Sequence, residues 1–452
     1  MSPPRADLSI VGAGLAGPLL AILCARRGLA VRLYERRSDP RAGAAPGGRS
    51  INLALAARGI AALERAGLMA QVRPLMIPMR GRMLHERHRA PVLVPYGQRP
   101  HELIYSVSRA ALNRVLIEEA ARQGRLELNF GHSCLGATRE GQLELRDERS
   151  GELTRLDAAP LVATDGAGSA VRTSLVDCGA VSAREEVLDH DYRELTIPAR
   201  AGKHALEMNA LHVWPRSDFM LIALPNTDGT FTATLFLPRT GGVSFQSLAT
   251  SQAVSALFER EFPDVQALLP DLTAQFAAHP QGRLGTVHAA PWHVGAEVLL
   301  LGDAAHAIVP FHGQGMNAAF EDCVALDALV AQPLGWAERF ARFEAERRPQ
   351  AQAIARMAIE NYAEMREHVR DPRFLRQRAL ALELEQRFPE RFIPRYSMVM
   401  FHPEIPYAEA LRRGAVQQEI LEALAGSAPG PSGIDEPLAA RLIRERLPLI
   451  GR

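Results

Sequence analysis

Apolar and polar positions at the start of the chain follow two different periods. Leu8–Val11 is a short apolar run, residues 15–27 carry apolar side chains at helical spacing, and residues 30–34 form a second apolar run closed by Glu35. Three glycines separate the first run from the helical stretch, and Gly28 ends that stretch. This order predicts a strand–helix–strand unit over residues 8–35.

Further along, the pattern predicts a mixed α/β chain. Residues 52–68 and 106–124 have helical spacing, and Ser108 can cap the second helix. The segments RLELNF, QLELRDE and LTRLDA alternate like strands, and PLVATDGAGSAVRTSL predicts a strand, an Asp-Gly turn and a helix. From 180 to 285 the chain is rich in strand formers, which predicts a separate antiparallel sheet. From 317 to 425 it is helical and charged.

Two Gly- and Pro-rich stretches interrupt the predicted helices and strands. Residues 40–50 are predicted to form a loop, and residues 426–433 (GSAPGPSG) a linker followed by a short amphipathic helix. The polar, broken C-terminal stretch predicts no membrane anchor. No apolar leader precedes the first strand and no segment has the length and purity of a membrane span, so we expect a cytoplasmic protein.

Composition excludes several functional classes. The 452 residues are 47% hydrophobic and 23% charged, which is ordinary for a globular protein. A formal net charge of +1 gives no field that would attract nucleic acid or anionic lipid. None of the four cysteines forms a CxxC pair, so we interpret them as packing residues in a reducing compartment.

The glycine turn GAGLAG and Glu35 carry the first chemical signal. Gly12, Gly14 and Gly17 let the backbone approach a pyrophosphate at a helix N-terminus. Glu35, at the end of the second strand, can accept a hydrogen bond from a ribose hydroxyl. The order of strand, glycines, helix, strand and acid indicates a dinucleotide site, and it does not distinguish FAD from NAD.

Two further turns follow predicted buried strands. Asp165 lies in an Asp-Gly turn, which an ordinary helix-capping turn would also explain. Asp303 follows the strand at 298–301 and can accept from a ribitol or ribose hydroxyl, and Gly315 lets backbone amides approach an anionic ring edge. His306 and His312 fit no zinc spacing; we expect structural histidines and no metal.

The three motifs, in this order, resemble the single-component flavoprotein aromatic hydroxylases, the p-hydroxybenzoate hydroxylase-like group. The resemblance implies an α/β fold, with a Rossmann-like FAD-binding domain, an antiparallel β-sheet substrate layer and a helical C-terminal region. It also implies bound FAD, with NADPH as co-substrate and no second GxGxxG unit. The expected division is an FAD-binding domain (1–180 and 286–330), a substrate domain (181–285), a helical domain covering the active site (331–425) and a linker with a terminal helix (426–452).

Stretches between the motifs are similar to one branch of this family, whose members hydroxylate L-kynurenine. They lie at 48–68, 77–85, 105–116, 212–226, 302–323 and 361–369. This resemblance implies a reaction of L-kynurenine, NADPH and O2 that gives 3-hydroxy-L-kynurenine through a flavin C4a-hydroperoxide. Two alternatives stay open: a related hydroxylase of another aromatic acid or phenol, and a non-catalytic flavin redox sensor. We expect a monomer or homodimer.

The same resemblance implies the substrate residues. Arg82 would pair with the amino acid carboxylate, to which a bidentate guanidinium is suited. Tyr96 and Tyr396 would donate hydroxyl hydrogen bonds to it, assisted by Asn361. Met365, one helical turn after Asn361, would face the same pocket. Without the resemblance, Arg82 reads as a surface arginine and the tyrosines as residues at the edge of the core.

The resemblance also implies cofactor contacts and the loop on the flavin face. Pro310, Phe311 and His312 would form that loop. Some family members carry Phe at the position of His312, so no essential acid or base is expected. Besides the glycines, the residues expected to bind FAD are Ala16, Glu35, Arg37, Ala54, Arg109, Cys134, Asp165, Asp303, Gly315, Met316 and Asn317.

Overall fold

The computed structural model describes residues 6–43, 52–158, 160–364, 372–427 and 435–451. Most of the predicted loop at 40–50 and of the predicted linker at 426–433 lies outside the described residues. The described strands are β1 (Leu8–Val11), β2 (Val31–Glu35), β3 (Asn52–Leu55), β4 (Ile77–Met79), β5 (Gly81–Leu84), β6 (Val92–Pro95), β7 (Ile104–Ser108), β8 (Leu126–Phe130), β9 (His132–Ala137), β10 (Gln142–Asp147), β11 (Leu153–Asp157), β12 (Leu161–Ala163), β13 (Ser182–Ile197), β14 (Leu211–Arg216), β15 (Phe219–Pro225), β16 (Phe231–Pro238), β17 (Gly282–Ala290), β18 (His293–Val294) and β19 (Val298–Leu300).

The described helices cover both flanks of the sheets and most of the C-terminal third. They are α1 (Ala16–Arg26), α2 (Ala57–Arg65), α3 (Met69–Val72), α4 (Arg109–Ala121), α5 (Ala170–Asp177), α6 (Ser251–Glu261), α7 (Pro263–Gln266), α8 (Leu272–Ala278), α9 (Asp303–His306), α10 (Gly315–Val330), α11 (Trp336–Ala363), α12 (Pro372–Arg387), α13 (Arg395–Phe401), α14 (Tyr407–Ser427) and α15 (Glu436–Arg446).

A six-stranded sheet with the order β18-β19-β12-β1-β2-β8 forms the centre of the first core. Its strands pair in parallel except for β18. Leu8–Val11 is fully buried, and α1 packs its apolar residues against the sheet. The predicted strand–helix–strand unit is therefore confirmed as β1, α1 and β2. Ser108 also caps α4 as predicted, by accepting from the amide of Ala111.

The helix predicted for residues 52–68 is wrong in its first part. Asn52–Leu55 is strand β3, which pairs antiparallel with β7 between Asn52 and Ser108, and only Ala57–Arg65 is helical. The partner strand lies about fifty residues away in the chain. Pairing with it makes residues 52–55 a strand, although their apolar spacing also fits a helix.

A seven-stranded sheet with the order β17-β13-β16-β15-β14-β5-β6 forms the second layer. Strands β13 to β17 pair antiparallel, as the sequence predicted, and α6 to α8 pack on one face. Strands β5 and β6 join from residues 81–95, and β5 pairs parallel with β14. The division into domains by residue range stays a prediction.

The C-terminal third is helical, as predicted. Helices α12, α14 and α15 share a small apolar core, and Asp435 caps α15, the predicted terminal helix. Together with the two sheets this confirms the predicted fold class. Within the described ranges, no helix combines the length and apolar character that crossing a membrane requires.

Candidate active site

Four segments that the sequence singled out line up along one edge of the six-stranded sheet. Strands β19, β12, β1 and β2 are consecutive and parallel, so their carboxyl ends lie side by side. Glu35 is the last residue of β2 and Gly12 follows β1 directly. Asp165 comes two residues after β12, and Asp303 three residues after β19. An elongated ligand can therefore contact all four, because ligands of open α/β sheets bind at this edge.

The glycine turn is shaped by close backbone packing on one side and open space on the other. Gly12 has φ of 97°, and a Cβ there would meet the oxygen of Thr164 at 2.6 Å. A Cβ on Gly17 would lie 2.0 Å from the oxygen of Gly12. A Cβ on Gly14, by contrast, would meet no heavy atom within 4 Å. The space above Gly14 fits a pyrophosphate at the N-terminus of α1.

Glu35 is buried and holds the turn in place. Its carboxylate accepts from the amide of Ala13 at 2.7 Å and from the backbone and guanidinium of Arg37. Burial by itself would raise the pKa of Glu35, but the hydrogen bonds from Arg37 and Ala13 hold that pKa below its usual range. Glu35 is therefore a carboxylate, as acceptance from a ribose hydroxyl requires.

Asp165 and Asp303 lie on the same edge in different environments. Burial raises the pKa of Asp165, whose buried Oδ1 has no hydrogen-bond partner among the described residues. Asp303 is exposed at the start of α9. Cys134, on β9, lies near Asp165; burial first and that carboxylate second raise its pKa to about 12, so its thiol is neutral. The unsatisfied oxygen of Asp165 fits a hydroxyl or amide donor from a ligand.

Helix α4 contacts the glycine turn through one polar residue and carries a second on the same side. Asn113 donates to the backbone oxygens of Ala13 and Gly14, at 3.0 and 2.5 Å. Arg109 lies one helical turn earlier and is exposed, so it is on the same side of α4 as Asn113. The sequence indicated Arg109 and missed Asn113, although the four-residue spacing between them was a usable signal.

Asn317 joins three segments of the expected flavin pocket. It accepts from the amide of Ala56 at 3.0 Å and donates to the oxygens of Ala54 and Gly313, both at 2.9 Å. Gly313 has φ of 65°, a conformation that favours glycine. Ala16, Gly315 and Met316 stand at the starts of α1 and α10. The first amides of α10 have no partners within the helix, so they are available to a ligand at its N-terminus.

Arg82 lies among aromatic rings from three parts of the chain. Its guanidinium carbon is 5.9 Å from the ring centre of Tyr96 and 5.2 Å from that of Tyr396. The two tyrosine rings stack at 5.9 Å, and Tyr396 stacks on His312 at 5.3 Å. The Nε of Arg82 is buried without a hydrogen-bond partner among the described residues. A buried cation with a free donor fits an anionic ligand group.

The loop at 310–312 is tied to helix α11. Asn361 donates to the backbone oxygen of Phe311 at 2.7 Å, and the ring of Phe311 stacks on Tyr362 at 4.1 Å. Pro310 is exposed. The structure therefore brings together Arg82, the two tyrosines, His312 and the loop held by Asn361, while Met365 lies outside the described residues.

The two histidines of this region differ in their surroundings. Burial, followed by the positive charges of nearby arginines, lowers the pKa of His312 to about 3, so its imidazole is neutral. His306 is hydrogen-bonded to Asp322 at 2.6 Å and stacks on Trp292, which makes it a structural histidine. In the described part of the chain, no three His, Cys, Asp or Glu side chains are grouped in a way that could hold a metal ion.

One pocket residue gave no signal in the sequence. Arg378, on α12, donates to the backbone oxygen of Pro95 at 2.6 Å, directly before Tyr96. Burial lowers its pKa, and the charge of Arg82 lowers it further. Arginine is frequent in this chain, and the apolar spacing of a helix does not show which helix covers the pocket. The sequence alone therefore could not identify Arg378 as a pocket residue.

Comparison with known proteins gives consistent results. Residues 5–358 match the FAD binding domain family. The chain is 46% identical over 450 residues to the kynurenine 3-monooxygenase of Myxococcus xanthus, covering 99% of this chain and 97% of that protein. It is 47% identical over 447 residues to the kynurenine 3-monooxygenase of Stenotrophomonas maltophilia, covering 98% of both chains.

Solved structures share the fold at lower identity. The tetrameric form of 2-methyl-3-hydroxypyridine-5-carboxylic acid oxygenase superposes with a TM-score of 0.65 at 20% identity, covering 82% of this chain and 95% of that one. PqsL from Pseudomonas aeruginosa, a probable FAD-dependent monooxygenase, gives 0.63 at 20% identity, covering 80% and 96%.

Proposed function

The chain belongs to the kynurenine 3-monooxygenase family of FAD-binding proteins, and from this premise we propose that it hydroxylates L-kynurenine to 3-hydroxy-L-kynurenine with NADPH and O2. The observation that carries the proposal is the guanidinium of Arg82, whose Nε is buried without a partner among the described residues, between two tyrosines and beside the loop at 310–312. An aromatic amino acid offers both a carboxylate for this cation and a flat ring for the aromatic walls.

Arg82, Tyr96 and Tyr396 would bind the carboxylate of the substrate. The guanidinium supplies a positive charge and N–H donors in a fixed planar geometry. Burial raises the pKa of both tyrosines, so their phenol groups are neutral hydrogen-bond donors. Asn361 would act by holding the oxygen of Phe311, to which its amide nitrogen donates. Met365 stays a prediction for the same pocket.

The edge of the six-stranded sheet fits FAD. The open space at Gly14, the unsatisfied Oδ1 of Asp165 and the exposed Asp303 each offer what a part of the dinucleotide needs. FAD bound there would supply the acceptance of reducing equivalents from NADPH and the activation of O2. The residues that would hold it are Gly12, Gly14, Ala16, Gly17, Glu35, Arg37, Ala54, Arg109, Cys134, Asp165, Asp303, Gly315, Met316 and Asn317.

FAD binding would change the contacts of Glu35. Two carboxylate oxygens offer about four acceptor positions, and Ala13 and Arg37 already donate four hydrogen bonds to them. A ribose hydroxyl would therefore take over a position now held by the side chain of Arg37, which is half-exposed and free to turn toward the solvent or toward a phosphate. This supports a role for Arg37 in the cofactor site rather than in the fold.

The protein's part in the reaction is to orient the ring and to exclude water. The ring carbon beside the aniline nitrogen of kynurenine is already electron-rich, so no protein base has to remove a proton from the substrate before hydroxylation. His312 is neutral and buried, and its stack on Tyr396 gives it a positioning role. The surrounding aromatic rings help to exclude water from the pocket, which limits side reactions.

The test is NADPH oxidation by the FAD-loaded protein, with and without L-kynurenine, with the product identified by mass. We expect stimulation by kynurenine and a product heavier by one oxygen atom. Stimulation with hydrogen peroxide as the sole product would make kynurenine an effector and reject it as the substrate. Bound FAD without any stimulation would favour another flavin hydroxylase or a redox sensor. Parallel assays with phenols and other aromatic acids separate those two.

The oligomeric state and the cellular location of the protein are two further parts of the proposal. We expect a monomer or homodimer, which light scattering during size-exclusion chromatography checks directly. We also expect a cytoplasmic protein, in keeping with a near-neutral net charge and with a redox cofactor supplied by the cell interior. Fractionation of the producing cells tests this location.

A further inference from the structure

Arg58 is a fully buried arginine whose contacts lie far from it in the sequence. It stands in the first turn of α2, its side chain is 1% exposed, and it pairs with Glu321 of α10 at 2.7 Å. The rest of its guanidinium donates to backbone oxygens around the end of α13, those of Met398, Val399, His402 and Ile405. The last carbonyls of a helix have no partners within the helix, so Arg58 satisfies groups that would otherwise be buried without hydrogen bonds.

A second contact joins the same segment to the loop beside the expected flavin. Gln314 is fully buried; it accepts from the hydroxyl of Tyr407 at 2.8 Å and donates to the sulfur of Met400 at 3.0 Å. The ring of Tyr407 lies under the guanidinium of Arg58, with 4.0 Å between the guanidinium carbon and the ring centre. Arg58, Tyr407 and Gln314 therefore form one continuous bridge from α2 through the end of α13 to the loop.

The other end of α13 carries a wall of the substrate pocket. Tyr396 stands in its first turn, where it stacks on Tyr96 and His312 and faces Arg82. Seven residues of helix span only about 10 Å. A shift at the anchored end of α13 therefore moves Tyr396 by a comparable amount.

We propose that Arg58 is a positioning residue for the hydroxylation, which fixes Tyr396 relative to the cofactor site through α13. The inference rests on the proposed function. Arg58 itself touches neither the expected substrate nor the expected cofactor. Its loss would loosen the pocket, weaken substrate binding and admit water, so that NADPH is oxidised with less product formed.

The test compares Arg58→Lys with a matched control, Arg216→Lys. Lysine keeps the charge and reaches at most part of the carbonyl set. Arg216 is also a buried arginine that donates to backbone oxygens, those of His85 and Glu261, where the end of β14 packs against the end of α6. In FAD-saturated protein we expect Arg58→Lys to raise the KM for L-kynurenine roughly tenfold, the scale of one lost charge-assisted hydrogen bond.

The ratio of hydroxylated product to NADPH consumed, measured at saturating kynurenine, is the readout that a merely structural role would leave unchanged. We expect it to fall in Arg58→Lys and to stay at the wild-type value in Arg216→Lys. Tyr407→Phe removes the hydrogen bond to Gln314 but keeps the ring under Arg58, so it should shift both readouts in the same direction by less.

Three results would overturn the inference. The first is a less stable Arg58→Lys variant with wild-type KM and product ratio. The second is an equal change in Arg216→Lys. If Arg58→Lys does not fold, Tyr407→Phe decides, and wild-type values there are the third. A wild-type protein that forms no hydroxylated product rejects the proposed function instead, a result that is visible before any variant is compared.

Discussion

The imidazole of His312 stacks on the ring of Tyr396, with 5.3 Å between the ring centres and 19° between the planes. This pair joins the loop that follows the six-stranded sheet to the helical C-terminal region. Tyr396 continues the stack to Tyr96, and Arg82 faces both tyrosines. The expected substrate site is therefore assembled by residues from positions 82 to 396, and this ring contact joins its two halves.

The pH dependence of the reaction should not include a titration of His312. Burial disfavours the imidazolium and lowers the pKa of His312 to about 3, below the range in which the enzyme would be assayed. We expect His312→Phe, which preserves the stack, to keep the shape of the wild-type pH profile of kcat/KM between about pH 5.5 and 9. Loss of one limb of that profile would contradict this and assign an acid–base role to His312.

The same lowered pKa predicts how stability changes in acid. The unfolded chain binds the proton near pH 6.5 and the folded chain only near pH 3, so the stabilising contribution of neutral His312 is lost as the pH falls through this window. Denaturant unfolding at pH 7 and pH 4.5 should show a smaller loss for His312→Phe than for the wild type. His212, whose pKa burial lowers to about 4, remains in both proteins and contributes equally.

Replacing Arg82 should affect substrate binding and spare the cofactor. Truncating one partner of a buried charge pair costs about 2–5 kcal/mol, so Arg82→Ala should raise the KM for L-kynurenine roughly 30- to 3,000-fold. FAD content, read from flavin absorbance, should match the wild type. Arg80→Ala, which removes an exposed arginine two residues earlier, is the control and should change neither value. Loss of FAD from Arg82→Ala would mean that Arg82 belongs to the cofactor site.

Arg378 should make a smaller contribution to the same step. It lies close enough to Arg82 for their charges to repel, and an anionic substrate would relieve that repulsion. We expect Arg378→Gln to raise the KM for L-kynurenine roughly tenfold, less than Arg82→Ala does, because its hydrogen bond to Pro95 already occupies part of the guanidinium. A decrease in KM would show that Arg378 opposes binding of the carboxylate.

Local patterns predicted those parts of the molecule that local contacts determine. The unit β1–α1–β2 follows from apolar periodicity and glycine chemistry within about thirty residues, and Ser108 caps α4 through its own neighbourhood. The positions of Asp165, Asp303 and Glu35 at the end of a strand or just after one also follow from the local pattern. These predictions needed no knowledge of distant partners.

The parts that sequence reasoning missed depend on distant partners. Strand β3 exists because it pairs with β7, and strands β5 and β6 belong to the sheet of β13 to β17 only through the pairing of β5 with β14. Arg58 meets backbone oxygens more than 330 positions away, at separations of 340 to 347 residues. A backbone oxygen leaves no mark in the sequence, so the role of Arg58 was visible only in three dimensions.

Substitutions at two glycines of the same turn should distinguish an effect on FAD binding from an effect on folding. A Cβ on Gly14 meets no heavy atom within 4 Å and its φ is not positive, so Gly14→Ala should fold normally, with a stability within about 1 kcal/mol of the wild type when both are free of FAD. That methyl group would, however, occupy the space proposed for the pyrophosphate. We therefore expect the Kd for FAD to rise by about tenfold or more.

Gly17→Ala provides the contrast, because its Cβ would lie 2.0 Å from the backbone oxygen of Gly12. The turn would have to move, at a cost of about 1–3 kcal/mol to the FAD-free protein, in addition to any loss of cofactor. Denaturant unfolding of the FAD-free proteins and titration with FAD measure the two effects separately. If Gly14→Ala binds FAD as tightly as the wild type, the pyrophosphate does not lie above Gly14. If Gly17→Ala unfolds like the wild type, the contact between α1 and β1 is looser than the structure indicates.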